Sequence, residues 1–323
     1  MEDHDATDRD CLVIGGGPAG LTAAIYLARY HLSVTVIDSG QSRAALIPLT
    51  RNHAGFPEGI SGAELLFRMW RQADRYGAEH RTGTVTELTR TAEGFMAWAG
   101  PGRIRARAVL LATGVVNRRP EGMDNEDHGA ALADGLVRYC PVCDAYEVTD
   151  RRIAVLGTGE RGCAEALFLR SYSVDVTLVA PGGGHTLTDG QRGRLTEAGI
   201  AIAGTCGRIR PRGQTIDLDI DDVATSFDTL YPALGSHIRS ELAGSLGTAL
   251  SEDGCLVVDA HQRTSIPGLY AAGDVVLGLD QISQAMGGGA VAATTIRNDL
   301  ARRMPLLRRA GRGLPASTLP DGG

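Results

Sequence analysis

The sequence predicts an α/β fold of two Rossmann-like, three-layer domains, the second inserted in the first, and three observations carry that expectation. A short buried-strand pattern runs into a glycine-rich turn and an apolar helix pattern over residues 12–28. The same order returns over residues 153–169. Two further buried-strand patterns, 109–114 and 268–274, lie on either side of that second unit, so one sheet brackets the other in the chain. The expected boundaries are 1–117 and 232–323 for the first domain and 118–231 for the insert. A length of 323 residues agrees, since roughly 150 residues per domain gives about two.

The first unit begins with Leu12, Val13 and Ile14, followed by Gly15, Gly16, Gly17, Pro18, Ala19 and Gly20, which is G-x-G-x-x-G between a strand and a helix. Glycines at Gly15, Gly17 and Gly20 let the backbone turn tightly and approach a pyrophosphate, whose charge then meets the unpaired N–H groups at the helix start. The next strand, from Ser33 to Ile37, ends in Asp38, an acid placed to accept hydrogen bonds from a ribose hydroxyl pair. Strand, glycines, helix, strand and acid together predict a bound dinucleotide; a purely structural turn is the alternative.

The second unit carries Gly157, Gly159 and Gly162, a helix pattern from Ala164 to Leu169 and a strand pattern from Val174 to Val179. After it come Ala180, Pro181 and three glycines, with no acid for a ribose 2′-hydroxyl and no arginine for a 2′-phosphate. Two readings stay open here: a nucleotide site, or a retained fold whose ligand is lost or altered.

Composition narrows the class. With 43% hydrophobic and 22% charged residues and no apolar run near the roughly 20 residues that span a bilayer, the chain reads as soluble and globular. A net charge of −6 gives no general field for nucleic acid, and Arg302, Arg303, Arg308 and Arg309 read as a solvated helix end. The 43 glycines are not periodic and mark turns. No secretory pattern precedes the first strand, so the expected compartment is the cytoplasm.

Of six cysteines, only Cys140 and Cys143 stand close together, in Tyr139-Cys140-Pro141-Val142-Cys143-Asp144. Two intervening residues allow a short-loop disulfide where a helical turn starts, and that turn lowers the pKa of one sulfur. A redox dithiol follows, with Asp144 placed to exchange a proton with a thiol. Half of a zinc site is the competing reading, but Cys11, Cys163, Cys206 and Cys255 are scattered singly and supply no second pair, so no metal is expected.

These features together resemble the low-molecular-weight thioredoxin reductase family over almost the whole chain. The resemblance implies a flavoenzyme in which Gly15, Gly17, Pro18, Ala19, Gly20 and Asp38 hold FAD. It implies that Ala112, Thr113 and Gly114 return the chain to the flavin domain, and that Gly273 and Asp274 contact the ribityl-pyrophosphate. The loop 51–62 is similar to the family's Asn-x-Pro-Gly-Phe loop, which puts Asn52 near the flavin, with Ala54 where proline is usual. Cys143 would form the thiolate facing the flavin, Cys140 the interchange thiol, and Asp144 the acid-base residue. The resemblance further implies a homodimer, a thioredoxin-like protein or small dithiol as partner, and rotation of the insert about hinges near Gly114–Arg118 and Ala233–Gly235.

Departures from the family pattern leave the donor, NADPH or NADH, open. The usual arginine cluster of the insert is replaced by Ala180–Gly184, and the usual Arg-Gln-Ala by Asp280, Gln281 and Ile282, of which Gln281 and Ile282 are taken as cofactor-binding. The segment from Asp280 to Gly287 looks closer to reductase-like flavin dithiol oxidases, which pass electrons to oxygen. Three readings therefore stand: a thioredoxin-reductase-like enzyme, an FAD-dependent dithiol oxidase, and a redox-sensing module without turnover.

Overall fold

The computed structural model describes residues 6–307. The first unit runs β1 (Ala6–Ile14), α1 (Pro18–Arg29), β2 (Val34–Asp38), α2 (Gly62–Arg75), β3 (Glu79–Thr82), β4 (Val85–Arg90), β5 (Phe95–Ala99), β6 (Gly102–Leu111) and β7 (Val115–Asn117). The second holds α3 (Asn125–Ala133), α4 (Pro141–Asp144), β8 (Ile153–Leu156), α5 (Gly159–Leu169), β9 (Val176–Ala180), α6 (Asp189–Glu197), β10 (Ala201–Arg212), β11 (Thr215–Ile220), β12 (Val223–Phe227) and β13 (Thr229–Pro232). The chain then returns through β14 (Ser236–Ile238), α7 (Glu241–Gly244), β15 (Leu269–Ala271) and α8 (Ile282–Arg303).

Two sheets result. The first has the order β3-β2-β1-β6-β5-β4 with β15 beside β6, and the second β12-β11-β10-β9-β8-β13. β1, β2, β3, β6 and β15 pair in parallel, as do β8, β9, β10 and β13, and helical crossovers such as α1 between β1 and β2 and α5 between β8 and β9 cover the central strands. Burial on both faces explains why Leu12, Val13, Leu110 and Val155 read as continuous apolar runs rather than alternating ones. α8 lies close along α1: a side chain at Gly289 would run into the carbonyl of Ala19, and Ala23, Ala24, Ala292 and Ala293 fill the seam. Fully burying each Leu, Ile or Val in these cores stabilises by about 1.5–3 kcal/mol.

β7 and β14 pair antiparallel, Asn117 opposite Ser236 and Val115 opposite Ile238, so the two crossings between units run side by side as one ribbon. The expected first crossing at 117/118 falls at the end of β7. The second, at 231/232, lies inside β13, which continues to Pro232 because that residue still pairs with Leu156 of β8. The insert's second strand runs from Val176 rather than Val174, which is 70% exposed in the turn before it. Arg302 and Arg303 are exposed in the last turn of α8, whereas Arg308 and Arg309 lie outside the described residues. Among the described residues no helix is long and apolar enough to cross a membrane.

Candidate active site

A cavity of about 710 Å³ runs from the first glycine turn to the cysteine pair. Its floor is the β1–α1 turn. A Cβ at Gly15 would strike the carbonyl of Ala112 on the neighbouring strand, and one at Gly20 would strike the carbonyl of Gly15, so only glycine closes this turn. Gly17 caps α1 without a side-chain partner and Pro18 follows it, which leaves the helix start open to the cavity. Asp38 ends β2 and accepts from the N–H of Gly16 at 2.9 Å through one oxygen and from that of Gly40 at 3.1 Å through the other. A carboxylate has about four lone-pair positions, so acceptor capacity remains toward the cavity.

Gly17, Pro18, Ala19, Asn52, Ala112, Thr113, Gly114, Gly273, Asp274, Gln281 and Ile282 all line the same space. Thr113 donates to the carbonyl of Arg239 at 2.5 Å, tying the turn after β6 to the returning chain. Asp274 faces Arg43 at 3.3 Å, and Arg43 also pairs with Asp280 at 2.9 Å. Burial, then the charge of Asp280, pushes the Asp274 carboxyl up, and Arg43 opposes both.

Cys140 and Cys143 form a disulfide and face the far end of this cavity. As expected, a helical turn begins there: Cys140 caps α4, Pro141 occupies its first position, and the Cys143 N–H donates to the Cys140 carbonyl at 2.9 Å. The side-chain nitrogen of Gln281 reaches both sulfurs, at 3.3 Å and 3.2 Å, and its oxygen accepts from Asn52 at 2.9 Å.

Asp144, next to Cys143 in the chain, is held by two partners from outside α4. Its oxygens accept from the hydroxyl of Tyr231 at 2.8 Å and from Arg138 at 3.0 Å. Burial pushes its pKa up, and Arg138 and Tyr231 pull it back. Behind α4, on α5, burial raises Glu165 from the usual 4.5 to about 7, with Arg161 opposing and Asp144 adding to the rise.

The second glycine turn does not line this cavity. Gly157 and Gly162 are packed on one another, and Gly157 also on Ala233, which explains their size. Gly159 adopts φ +60°, where a Cβ would lie 3.6 Å from the Thr186 hydroxyl, and Thr158 accepts from the N–H of Thr186 at 2.6 Å. Glu160 occupies the first turn of α5, paired with Arg194 at 2.8 Å. His237 pairs with Glu241 at 2.8 Å.

Comparison with known proteins decides the family. Residues 9–289 match the family described as pyridine nucleotide-disulphide oxidoreductase. This chain belongs to that family. It is 32% identical over 290 residues to the thioredoxin reductase of Streptomyces coelicolor, covering 83% of this chain and 86% of the relative. Among solved structures it is similar to thioredoxin reductase from Streptococcus pyogenes, with TM-score 0.82 and 26% identity over 92% of this chain and 99% of that one. It is also similar to HlmI, with TM-score 0.83 and 28% identity over 94% of each chain. The chain is thus a thioredoxin-reductase-like oxidoreductase of this family with two Rossmann-like units, and the named reductases lend the dithiol-oxidase alternative no support.

The residues present fit FAD. The glycine turn forms a cradle that a Cβ at Gly15 or Gly20 would fill, an open helix start lies above it, and an acid stands at the end of β2. Among the described residues no cluster of histidine, cysteine and carboxylates could hold a metal ion. Sequence reasoning missed Tyr231, Arg138, Arg43 and Thr50. Tyr231 lies in an apolar strand 87 residues from Asp144, and no local pattern distinguishes its hydroxyl from a packing group.

Proposed function

We propose that this member of the family is a flavin-dependent disulfide reductase of the thioredoxin-reductase type. It passes electrons from a nicotinamide nucleotide through FAD and the Cys140–Cys143 pair to an external, thioredoxin-type disulfide. The observation that carries this reading is that one cavity is lined both by the first glycine turn and by the two sulfurs.

Bound FAD supplies the two-electron carrier between the nucleotide and the cysteine pair. Gly15 to Gly20 hold its pyrophosphate at the helix start, Asp38 its ribose, and Asp274 and the turn at Ala112–Gly114 the opposite wall. In the reduced pair, the Cys140 thiolate bonds to one sulfur of the partner disulfide, whose S–S bond breaks, and the electron pair leaves on the partner's other sulfur. Cys143 then attacks Cys140, reforming the internal S–S bond and releasing as a thiolate the partner sulfur that Cys140 had bonded. Asp144 supplies protons to the leaving sulfurs, its carboxyl held poised by Tyr231 and Arg138. Cys143, on the flavin side, would take electrons from the reduced cofactor, so that the internal S–S bond reopens for the next cycle.

The donor is NADH or NADPH. The stretch from Ala180 to Gly184 offers no arginine to a 2′-phosphate, so little discrimination is expected. The paired strands β7 and β14 support hinges near Gly114–Arg118 and Ala233–Gly235, with domain limits close to 1–117 with 232–323 and 118–231. A homodimer in the cytoplasm remains the expectation.

The test is steady-state reduction of a thioredoxin-type disulfide by NADPH or NADH. Thiol release by the wild-type chain, lost in Cys140→Ser, is expected. Release that survives Cys140→Ser would remove the cysteine pair from the pathway.

A further inference from the structure

Thr50, Asn52 and Gln281 form a directed chain of hydrogen bonds that ends on the disulfide. Thr50, only 5% exposed, donates its hydroxyl proton to the side-chain oxygen of Asn52 at 2.9 Å. The carbonyl of Val142, which can only accept, lies 3.4 Å from the Asn52 side-chain nitrogen and so marks that end of the amide as the donor, which also donates to the oxygen of Gln281 at 2.9 Å. With the Gln281 oxygen occupied, its nitrogen is the end that faces Cys140 and Cys143. Both amides are thereby oriented by their partners. Gln281 immediately precedes α8, and Asn52 belongs to the loop between β2 and α2, so two separate segments converge on α4.

We propose that Gln281 is a catalytic residue whose carboxamide stabilises the thiolate released when the Cys140–Cys143 disulfide is reduced, with Asn52 as the positioning residue that keeps its N–H aimed at sulfur. A disulfide sulfur is a weak acceptor, whereas a thiolate carries full charge and takes a charge-assisted bond roughly twice as strong as a neutral one. The interaction therefore grows as the S–S bond opens. When dithiothreitol is the reductant, one of its thiolates bonds to one cysteine, the internal bond breaks, and its electron pair leaves on the other cysteine. The second dithiothreitol thiolate then bonds to the first dithiothreitol sulfur and displaces the cysteine as a thiolate, leaving oxidised dithiothreitol and a reduced pair here. Gln281 reaches both sulfurs, so it serves whichever one leaves. The inference rests on the pair being redox-active, as proposed above.

The experiment uses the full chain with its bound cofactor, reduced anaerobically with dithiothreitol and freed of it. Alkylation of Cys140 and Cys143 by iodoacetamide is followed across pH by peptide mass spectrometry, which keeps Cys255 separate. Gln281→Ala is expected to move the alkylation midpoint of at least one of the pair up by about one pH unit, a tenfold change in thiolate fraction at a given pH. Gln281→Glu, which keeps the shape but sets a carboxylate beside sulfur, is expected to move it further up, and Asn52→Ala to move it less in the same direction. A midpoint unmoved or lowered in either Gln281 variant overturns the proposal. Where the alanine variant fails to fold, the isosteric glutamate variant decides alone. A pair that dithiothreitol cannot reduce would instead defeat the redox reading on which this rests.

Discussion

Asp144 follows Cys143 directly in the chain, yet its two oxygens are claimed by Tyr231, from β13, and Arg138, from the segment before the cysteine pair. Tyr231→Phe removes one of the two contacts that lower its raised pKa, so the carboxyl should stay protonated to higher pH. The alkaline limb of the pH–rate profile, set by loss of the Asp144 proton, is then expected to move upward, and denaturant unfolding should show a loss of about 1 kcal/mol for the missing bond. A profile identical to wild type would detach Tyr231 from the proton transfer. The cysteines divide by spectroscopy: Cys140→Ser should leave a Cys143 thiolate against the oxidised flavin and so a long-wavelength absorption band, and Cys143→Ser should lack it. The reverse pattern would exchange the two roles. The pair itself was legible in the sequence, because two intervening residues and a following acid form a local signal. The Tyr231, Arg138 and Thr50 contacts were not, since they arise from strand and loop positions that only the folded chain brings near.

The strand-turn-helix units were read from sequence at the right places because their glycines meet a local demand, the close approach of the turn to the next strand. Gly15→Ala tests that demand: its Cβ would meet the Ala112 carbonyl, and purification is expected to give chain depleted of FAD. Retention of a full complement of flavin would contradict the cradle. Strand ends were less legible, since β13 reaches Pro232 and β9 starts at Val176 for reasons of pairing with β8 that no single strand encodes. The packing of α5 against α4 leaves one oxygen of Glu165 buried and without a hydrogen-bond partner among the described residues. Its folded pKa is raised from 4.5 to about 7, so the native state binds more protons than the unfolded state between those values. Its contribution to stability is therefore complete below about pH 4.5 and is lost as pH rises through about 7. Glu165→Gln should remove that slope and be more stable at pH 8 by roughly 1–2 kcal/mol, allowing for partial exposure. Parallel stability–pH curves for the two proteins would show that the carboxyl is not perturbed.

The whole chain places two Rossmann-like units on a ribbon of two short strands, with the disulfide carried by one unit and facing a cavity floored by the other. That bracketing was visible in the order of strand patterns along the chain, whereas the cavity that joins the units was not, because it is built from segments more than two hundred residues apart, such as Asn52 and Gln281. The missing arginines after β9 predict that NADPH and NADH reduce the protein with efficiencies within about tenfold, or 1.4 kcal/mol, of each other. A strong preference for NADPH in stopped-flow reduction would require a phosphate site elsewhere on the insert. The central claim is that the flavin and the Cys140–Cys143 pair share electrons. An anaerobic reductive titration of the holoprotein, followed at the oxidised flavin band, tests it most directly. The account predicts that full bleaching of the wild-type chain consumes one two-electron equivalent more than bleaching of Cys143→Ser, because the disulfide fills as well. Equal consumption by the two proteins would show that the disulfide stands outside the flavin's electron path.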